Sequence, residues 1–366
     1  MGLSDPLQQV ERTYVRYRGR KLSYFAGCDY FRLASHPTVL AAIAQGMVRY
    51  GLNVAASRST TGNHLAFGRL EKRIADFFGV EAATLTSNGY VSNLVACQAL
   101  AGEFTHAILD ERAHISLVDA AVFLDCPRLR FKHRDAGELS RVLKRLGRVK
   151  PLVLTDGMFS HDGGIAPLKE YVSSLPPEGM ILVDDAHGAG VLGREGRGTP
   201  EQTGVSRQRL IQTITLSKAF GVYGGAVLGG AKLREQIINR SRLFVGNTPL
   251  PLPLAHAATL SIGRLQRTAG LRRRLRKNTA LVKTALNQAG FNLGDNPSPI
   301  IPVIPEGSAQ ADRLYAQLLK AGIYPSFIRY PGGPANGYFR FVLSSEHTQK
   351  QLQELVQVLT GFAAWK

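Results

Sequence analysis

The chain has 366 residues, 44% hydrophobic and 20% charged, and no apolar run approaches the ~20 residues that cross a bilayer, which excludes a helical membrane span. Forty-five Lys and Arg against 27 Asp and Glu give a net charge of +18, yet the basic residues are dispersed and form no recognition-helix, zinc-finger or aromatic RNP pattern, so no nucleic acid partner is expected. Cys28, Cys97 and Cys126 are too few and too far apart for a disulfide framework or a metal site.

Met1 to Val10 contain no apolar block behind a basic segment, so a cytoplasmic location is expected. The pattern predicts an N-terminal arm over residues 1–35, a large domain over 36–248 and a small C-terminal domain over 249–366. In the large domain, short apolar runs occur at Ala82–Thr86, Ala107–Leu109, Leu129–Phe131, Leu152–Thr155, Met180–Val183 and Leu210–Leu216. Amphipathic segments, among them Leu70–Phe78, Leu94–Leu100 and Ala136–Leu146, lie between several of them. This alternation predicts an α/β fold, a mostly parallel sheet flanked by helices, with ligands beyond the carboxyl ends of the strands. After Gly246 the texture changes to a long helical region up to about Gly290. Strands near Ile300–Ile304 and Tyr338–Leu343 and helices near Ala309–Ala321 and Gln349–Phe362 then predict a smaller α+β unit. Arg264 to Lys277, the densest basic stretch, reads as one exposed face of a long helix.

The chemistry gathers just past the strand ends. Met180–Val183 opens into Asp184-Asp185-Ala186-His187-Gly188, and a buried carboxylate there needs a cationic partner. Ile211–Leu216 opens into Ser217-Lys218-Ala219-Phe220-Gly221, where desolvation makes a lysine amine nucleophilic enough to form an imine. Singly, an Asp that caps a turn and a Lys that snorkels are ordinary. Together they fit a cofactor with a cationic ring nitrogen and an aldehyde, pyridoxal 5′-phosphate. Its phosphate suits the turn Thr86-Ser87-Asn88-Gly89-Tyr90, where a strand gives way to a helix and N–H groups converge on an anion. Thr215 and Ser217 add hydroxyls, and His114, after the run at Ala107, offers a flat ring.

The ordered fragments S-N-G-Y-V-S-N (Ser87–Asn93), D-E-R-A-H-I-S (Asp110–Ser116), T-D-G-M-F-S-H-D-G (Thr155–Gly163), V-D-D-A-H-G-A-G-V-L-G (Val183–Gly193), G-R-G (Gly196–Gly198) and T-L-S-K-A-F-G (Thr215–Gly221) resemble the α-oxoamine synthase family. The resemblance runs from about Tyr30 to the C-terminus. It implies a fold-type-I pyridoxal-phosphate transferase, a homodimer with shared active sites. Lys218 is then the imine-forming residue and base, Asp184 the partner of the ring nitrogen, and His187 the partner of the ring's phenolic oxygen, with Ser160 nearby. His114 stacks on the ring. Asn88, Gly89, Tyr90 and Thr215 surround the phosphate, with Thr248 of the partner subunit. Arg340 grips the amino-acid carboxylate, and Arg58 and His64 line the substrate channel.

The implied reaction is decarboxylative condensation of an amino acid with an acyl thioester to an α-amino ketone. Asp-Asp-Ala-His-Gly followed by Gly-Val-Leu-Gly is most similar to the members that serve biotin biosynthesis, which implies L-alanine and a pimeloyl thioester on coenzyme A or a carrier protein. Another amino acid such as glycine or serine with a fatty-acyl donor, an aminotransferase, and a non-catalytic partner-binding homologue are the competing readings. Several positions depart from the family pattern: Asp29 for a frequent Asn, Ala55-Ala56 within a usually Gly-rich stretch, Asp156 for the usual Glu, and His161 and Gly164 where Met and Asp are common.

Overall fold

Alternating side chains of a strand point to opposite faces, so a strand apolar at every position must be covered on both sides. The computed structural model, which describes residues 4–329, 333–334 and 336–363, bears this out. The meander β1 (Gln8–Glu11), β2 (Tyr14–Tyr17) and β3 (Arg20–Ser23) comes first. Seven strands then form one sheet: β4 (Ala82–Thr86), β5 (His106–Asp110), β6 (Arg128–Phe131), β7 (Pro151–Asp156), β8 (Met180–Asp184), β9 (Leu210–Thr215) and β10 (Gly225–Gly229). Their spatial order is β4-β10-β9-β8-β7-β5-β6, parallel from β9 to β6, with β10 antiparallel to both β4 and β9. Leu152 and Leu154 of β7 and Leu182 of β8 enter the hydrophobic cluster on one face. Val153, Ile181 and Val183 enter the cluster on the other.

Tight packing divides the chain into two compact units, Pro37–Phe159 with Ile165–Thr268, and Met1–His36 with Ser160–Gly164 and Ala269–Lys366. The first holds the seven-stranded sheet. The second holds the meander and a three-stranded antiparallel sheet of β11 (Ile300–Val303), β12 (Phe327–Ile328) and β13 (Tyr338–Val342). Its core joins Phe25, Val282, Leu286, Ile301, Phe339, Phe341 and Leu355. Among the described residues no helix is long and apolar enough to cross a membrane.

The basic stretch differs from its expectation. Arg264 to Lys277 is not one helix face: a helix ends at Arg267, Thr268 leaves helical geometry at φ −110° and ψ 69°, and a new helix spans Ala269–Gln288. Arg272 within it is buried. The change of texture after Gly246 assigns the helix Leu252–Arg267 to the C-terminal part, whereas it packs in the sheet-bearing unit. There Gly46 of the helix Pro37–Tyr50 admits the Pro253 backbone so closely that an added Cβ would lie 2.7 Å from its Cα. Periodicity marks a helix's apolar face without saying which layer it meets.

Candidate active site

The carboxyl ends of β8 and β9 set an acid and an amine side by side in one cavity. Asp184 closes β8 and is buried. Its Oδ2 accepts from Asn93 Nδ2 at 2.6 Å and from Ser116 Oγ at 3.5 Å, and its Oδ1 from the Ala186 N–H at 3.0 Å. Thr213 Oγ1 donates to Asn93 Oδ1 at 2.5 Å, which fixes the amide with its NH₂ toward the carboxylate. Lys218 lies three residues beyond β9, its Nζ 2.7 Å from Nε2 of the buried His187.

The helix Gly89–Ala99 starts at the edge of the same cavity. Asn88 caps it, its Oδ1 accepting from the Val91 N–H at 3.0 Å, while Asn88 Nδ2 donates to the Tyr223 hydroxyl at 3.2 Å. A Cβ at Gly89 would lie 2.8 Å from Thr215 Cβ, so only glycine lets the helix start approach β9 this closely. Thr215 Oγ1 donates to Gly224 O at 3.3 Å and accepts from the Ser217 N–H at 3.2 Å. His114 caps the helix Ile115–Ala121, and its ring meets the Tyr90 ring edge-on at 6.2 Å between centroids. Tyr90 donates its hydroxyl hydrogen to Asp119. Burial holds the His114 imidazole below its ordinary range, with Lys218 adding to the effect and Asp184 opposing it.

The cavity encloses about 350 Å³ and is lined by Asn88, Gly89, Tyr90, His114, Asp184, His187, Thr215 and Lys218, all named from the sequence. Ser116, Asp156 and Tyr223 also line it, and Asn93 orients Asp184 from behind. The sequence reading assigned none of these four a role. Asn93 sits fully buried inside a helix whose polar partners lie 23 to 120 residues away, so no local pattern marks it.

The remaining predicted residues lie elsewhere. Arg58 and Thr248 line a narrower cavity in the same unit, with Asn247 and Ser87. Arg58 makes a bidentate pair with Glu71, at 2.5 Å and 3.1 Å, and its Nε donates to Asn63 Oδ1 at 3.1 Å. His64 caps the helix Leu65–Phe78, with Nδ1 accepting from the Ala66 N–H at 3.1 Å. Ser160 and Arg340 come together in the second unit, where Arg340 Nη1 donates to Ser160 O at 3.1 Å. Arg340 Nε is buried and has no hydrogen-bond partner among the described residues.

Pyridoxal phosphate fits this donor set. An amine at a strand end would meet its aldehyde, a carboxylate held by three donors would meet its cationic nitrogen, and a helix start opened by Gly89 would meet its phosphate. The cavity falls within the size range of small-molecule sites.

Known proteins agree with the geometry. The family aminotransferase class I and II matches residues 29–359. An 8-amino-7-oxononanoate synthase of Thioalkalivibrio sulfidiphilus (strain HL-EbGR7) is 37% identical over 345 residues, 93% of this chain and 88% of that one. The 8-amino-7-oxononanoate synthase of Methylococcus capsulatus is 36% identical over 96% of this chain and 92% of its own. Among solved structures, a serine palmitoyltransferase from S. paucimobilis with a bound PLP–myriocin aldimine superposes with a TM-score of 0.90 at 30% identity, over 98% of this chain and 91% of that one. An 8-amino-7-oxononanoate synthase from Francisella tularensis superposes with a TM-score of 0.81 at 26% identity, over 94% and 98%.

Proposed function

Because the chain belongs to the aminotransferase class I and II family, and within it to the pyridoxal-phosphate-dependent α-oxoamine synthases, we propose that it condenses L-alanine with a pimeloyl thioester and releases carbon dioxide, the reaction of an 8-amino-7-oxononanoate synthase. The observation that carries this reading is the convergence of Lys218, Asp184, His187 and the Gly89 helix start on one cavity in a chain so similar to synthases of that name.

Bound pyridoxal phosphate supplies an aldehyde for imine formation and a cationic ring that takes up the electron pair left at the amino acid's α-carbon. Lys218 would hold the group at its aldehyde, and its Nζ is the base placed to take the α-proton. His187, 2.7 Å from that nitrogen, orients it. Asp184 sets a negative charge opposite the ring nitrogen, kept in place by Asn93 and the Ala186 N–H. His114 covers one ring face. Gly89, Tyr90 and Thr215 hold the phosphate, joined by Thr248 of the partner subunit. The Arg340 guanidinium takes the substrate carboxylate, and its Nε, without a partner among the described residues, supports that role.

Pairing of two subunits is supported by apolar side chains facing outward on and after the helix Pro37–Tyr50: Leu40, Met47, Val48 at 92% exposure, Leu52 and Leu65. The +18 charge suits an acidic donor, coenzyme A or a carrier protein.

The test is to load the protein with pyridoxal phosphate, fix it with borohydride and map the labelled residue, expected to be Lys218. Amino acids are then added singly while visible absorbance is followed, and acyl thioesters are supplied while free thiol is measured. L-Alanine should shift the spectrum and pimeloyl thioester should release thiol. A second reading, serine with a fatty-acyl thioester, is favoured by the close superposition on a serine palmitoyltransferase. A response to serine or glycine but not alanine overturns the first reading and leaves the family assignment standing.

A further inference from the structure

Asp156 is a buried acid in the cofactor cavity that the proposed chemistry does not use. It ends β7 as Asp184 ends β8, and the two are register partners across adjacent parallel strands. The two carboxyl groups are provided for unequally. Asp184 accepts from Asn93, Ser116 and the Ala186 N–H, whereas among the described residues the Asp156 carboxyl accepts from the His114 N–H alone, 2.8 Å from its Oδ2. Of the two carboxyl groups, Asp184 therefore has the fuller set of donors. Burial, with Asp184 and then Asp110 adding to it, holds the Asp156 carboxyl well above the usual carboxylate range, against the lowering influence of the His114 N–H and Lys218.

We propose that Asp156 is a positioning residue: its carboxyl group holds the main chain of His114 and so fixes the imidazole that flanks the cofactor. The anchored residue is the cap of the helix Ile115–Ala121, where the His114 Nδ1 accepts from the Ser116 N–H at 3.2 Å and meets Ser116 Oγ at 2.7 Å. One carboxyl thus holds the backbone at the point from which the ring projects. A neutral amide accepts the same hydrogen bond, so the role survives Asp156→Asn and fails in Asp156→Ala, which leaves a buried N–H without an acceptor.

This inference rests on the reading of His114 as the residue covering the cofactor, so His114→Ala is made alongside. In the cofactor-free protein, hydrogen exchange at the His114 amide should quicken at least about tenfold in Asp156→Ala and stay near wild type in Asp156→Asn. In the loaded protein, the visible circular dichroism of the bound cofactor should change in Asp156→Ala and His114→Ala and persist in Asp156→Asn. Unchanged exchange and dichroism in Asp156→Ala overturn the proposal alone, as does an Asp156→Asn variant as impaired as Asp156→Ala. Unchanged dichroism in His114→Ala removes the His114 reading and the proposal with it.

Discussion

Arg340 shows how much one side chain's surroundings say about its task. A guanidinium is costly to bury without acceptors for its five N–H groups, yet Arg340 gives Nη1 to Ser160 O and has no acceptor for its buried Nε among the described residues. A substrate carboxylate is the acceptor proposed for it. Arg340→Ala should therefore raise KM for the amino acid by about 10- to 100-fold, the worth of a charge-assisted hydrogen bond, with a smaller change in kcat, as steady-state kinetics against amino-acid concentration will read. Arg58 is the contrast, its fork already closed on Glu71 in the same unit. Both arginines look alike in the sequence, since only the fold reveals which has an acceptor. Lys218, Asp184 and His187 were legible because each lies within four residues of the end of an apolar run that had to be a buried strand. The roles of Asn93, Ser116 and Asp156 were not, although Asp156 also follows an apolar run, because their partners come from other strands and helices.

At the scale of elements, the helix Gly89–Ala99 works at both ends of the cavity. Its first turn faces the predicted phosphate position, and Asn93, four residues and about 6 Å further along the axis, holds Asp184. A rigid turn thus fixes the spacing between the proposed anion site and the carboxyl group of Asp184. Gly89→Ala would force the helix start off Thr215, because the added methyl would lie 2.8 Å from that residue's Cβ. The variant should bind pyridoxal phosphate at least about tenfold more weakly in equilibrium dialysis, an overpacking cost of about 1–3 kcal/mol. The apolar runs predicted six strands of the main sheet, but not β10, a five-residue segment bounded by glycines that reads as a turn. Gly225 is required there because an added Cβ would lie 2.5 Å from the Asn88 carbonyl, a constraint set by an element 137 residues away in the chain.

The molecule as a whole has two buried groups that pull its stability in opposite directions with pH. In the sheet-bearing unit, burial raises the Asp185 carboxyl to about 7, despite hydrogen bonds from the Thr199 N–H and hydroxyl and from Gln212. The folded state then binds more protons than the unfolded one between about pH 4 and 7, so this stabilisation is full in acid and lost as pH rises through 7. In the other unit, burial lowers His347 to about 3, while its Nδ1 accepts from the Ser344 N–H and its Nε2 faces Tyr24 O. Its stabilisation is full above about pH 6.5 and lost as pH falls through 3. Melting temperatures recorded from pH 4 to 8 should fall less toward neutrality in Asp185→Asn and less toward acid in His347→Gln, each effect a few kcal/mol at most. The cavity is gathered from the ends of five strands, β4, β5, β7, β8 and β9, in a stretch of chain from Asn88 to Tyr223. No hairpin or single helix–strand pair contains enough of it to hold a ligand, so during refolding the yellow of captured vitamin should lag behind the far-ultraviolet signal of secondary structure, and stopped-flow traces of the two will time the final closure of the sheet.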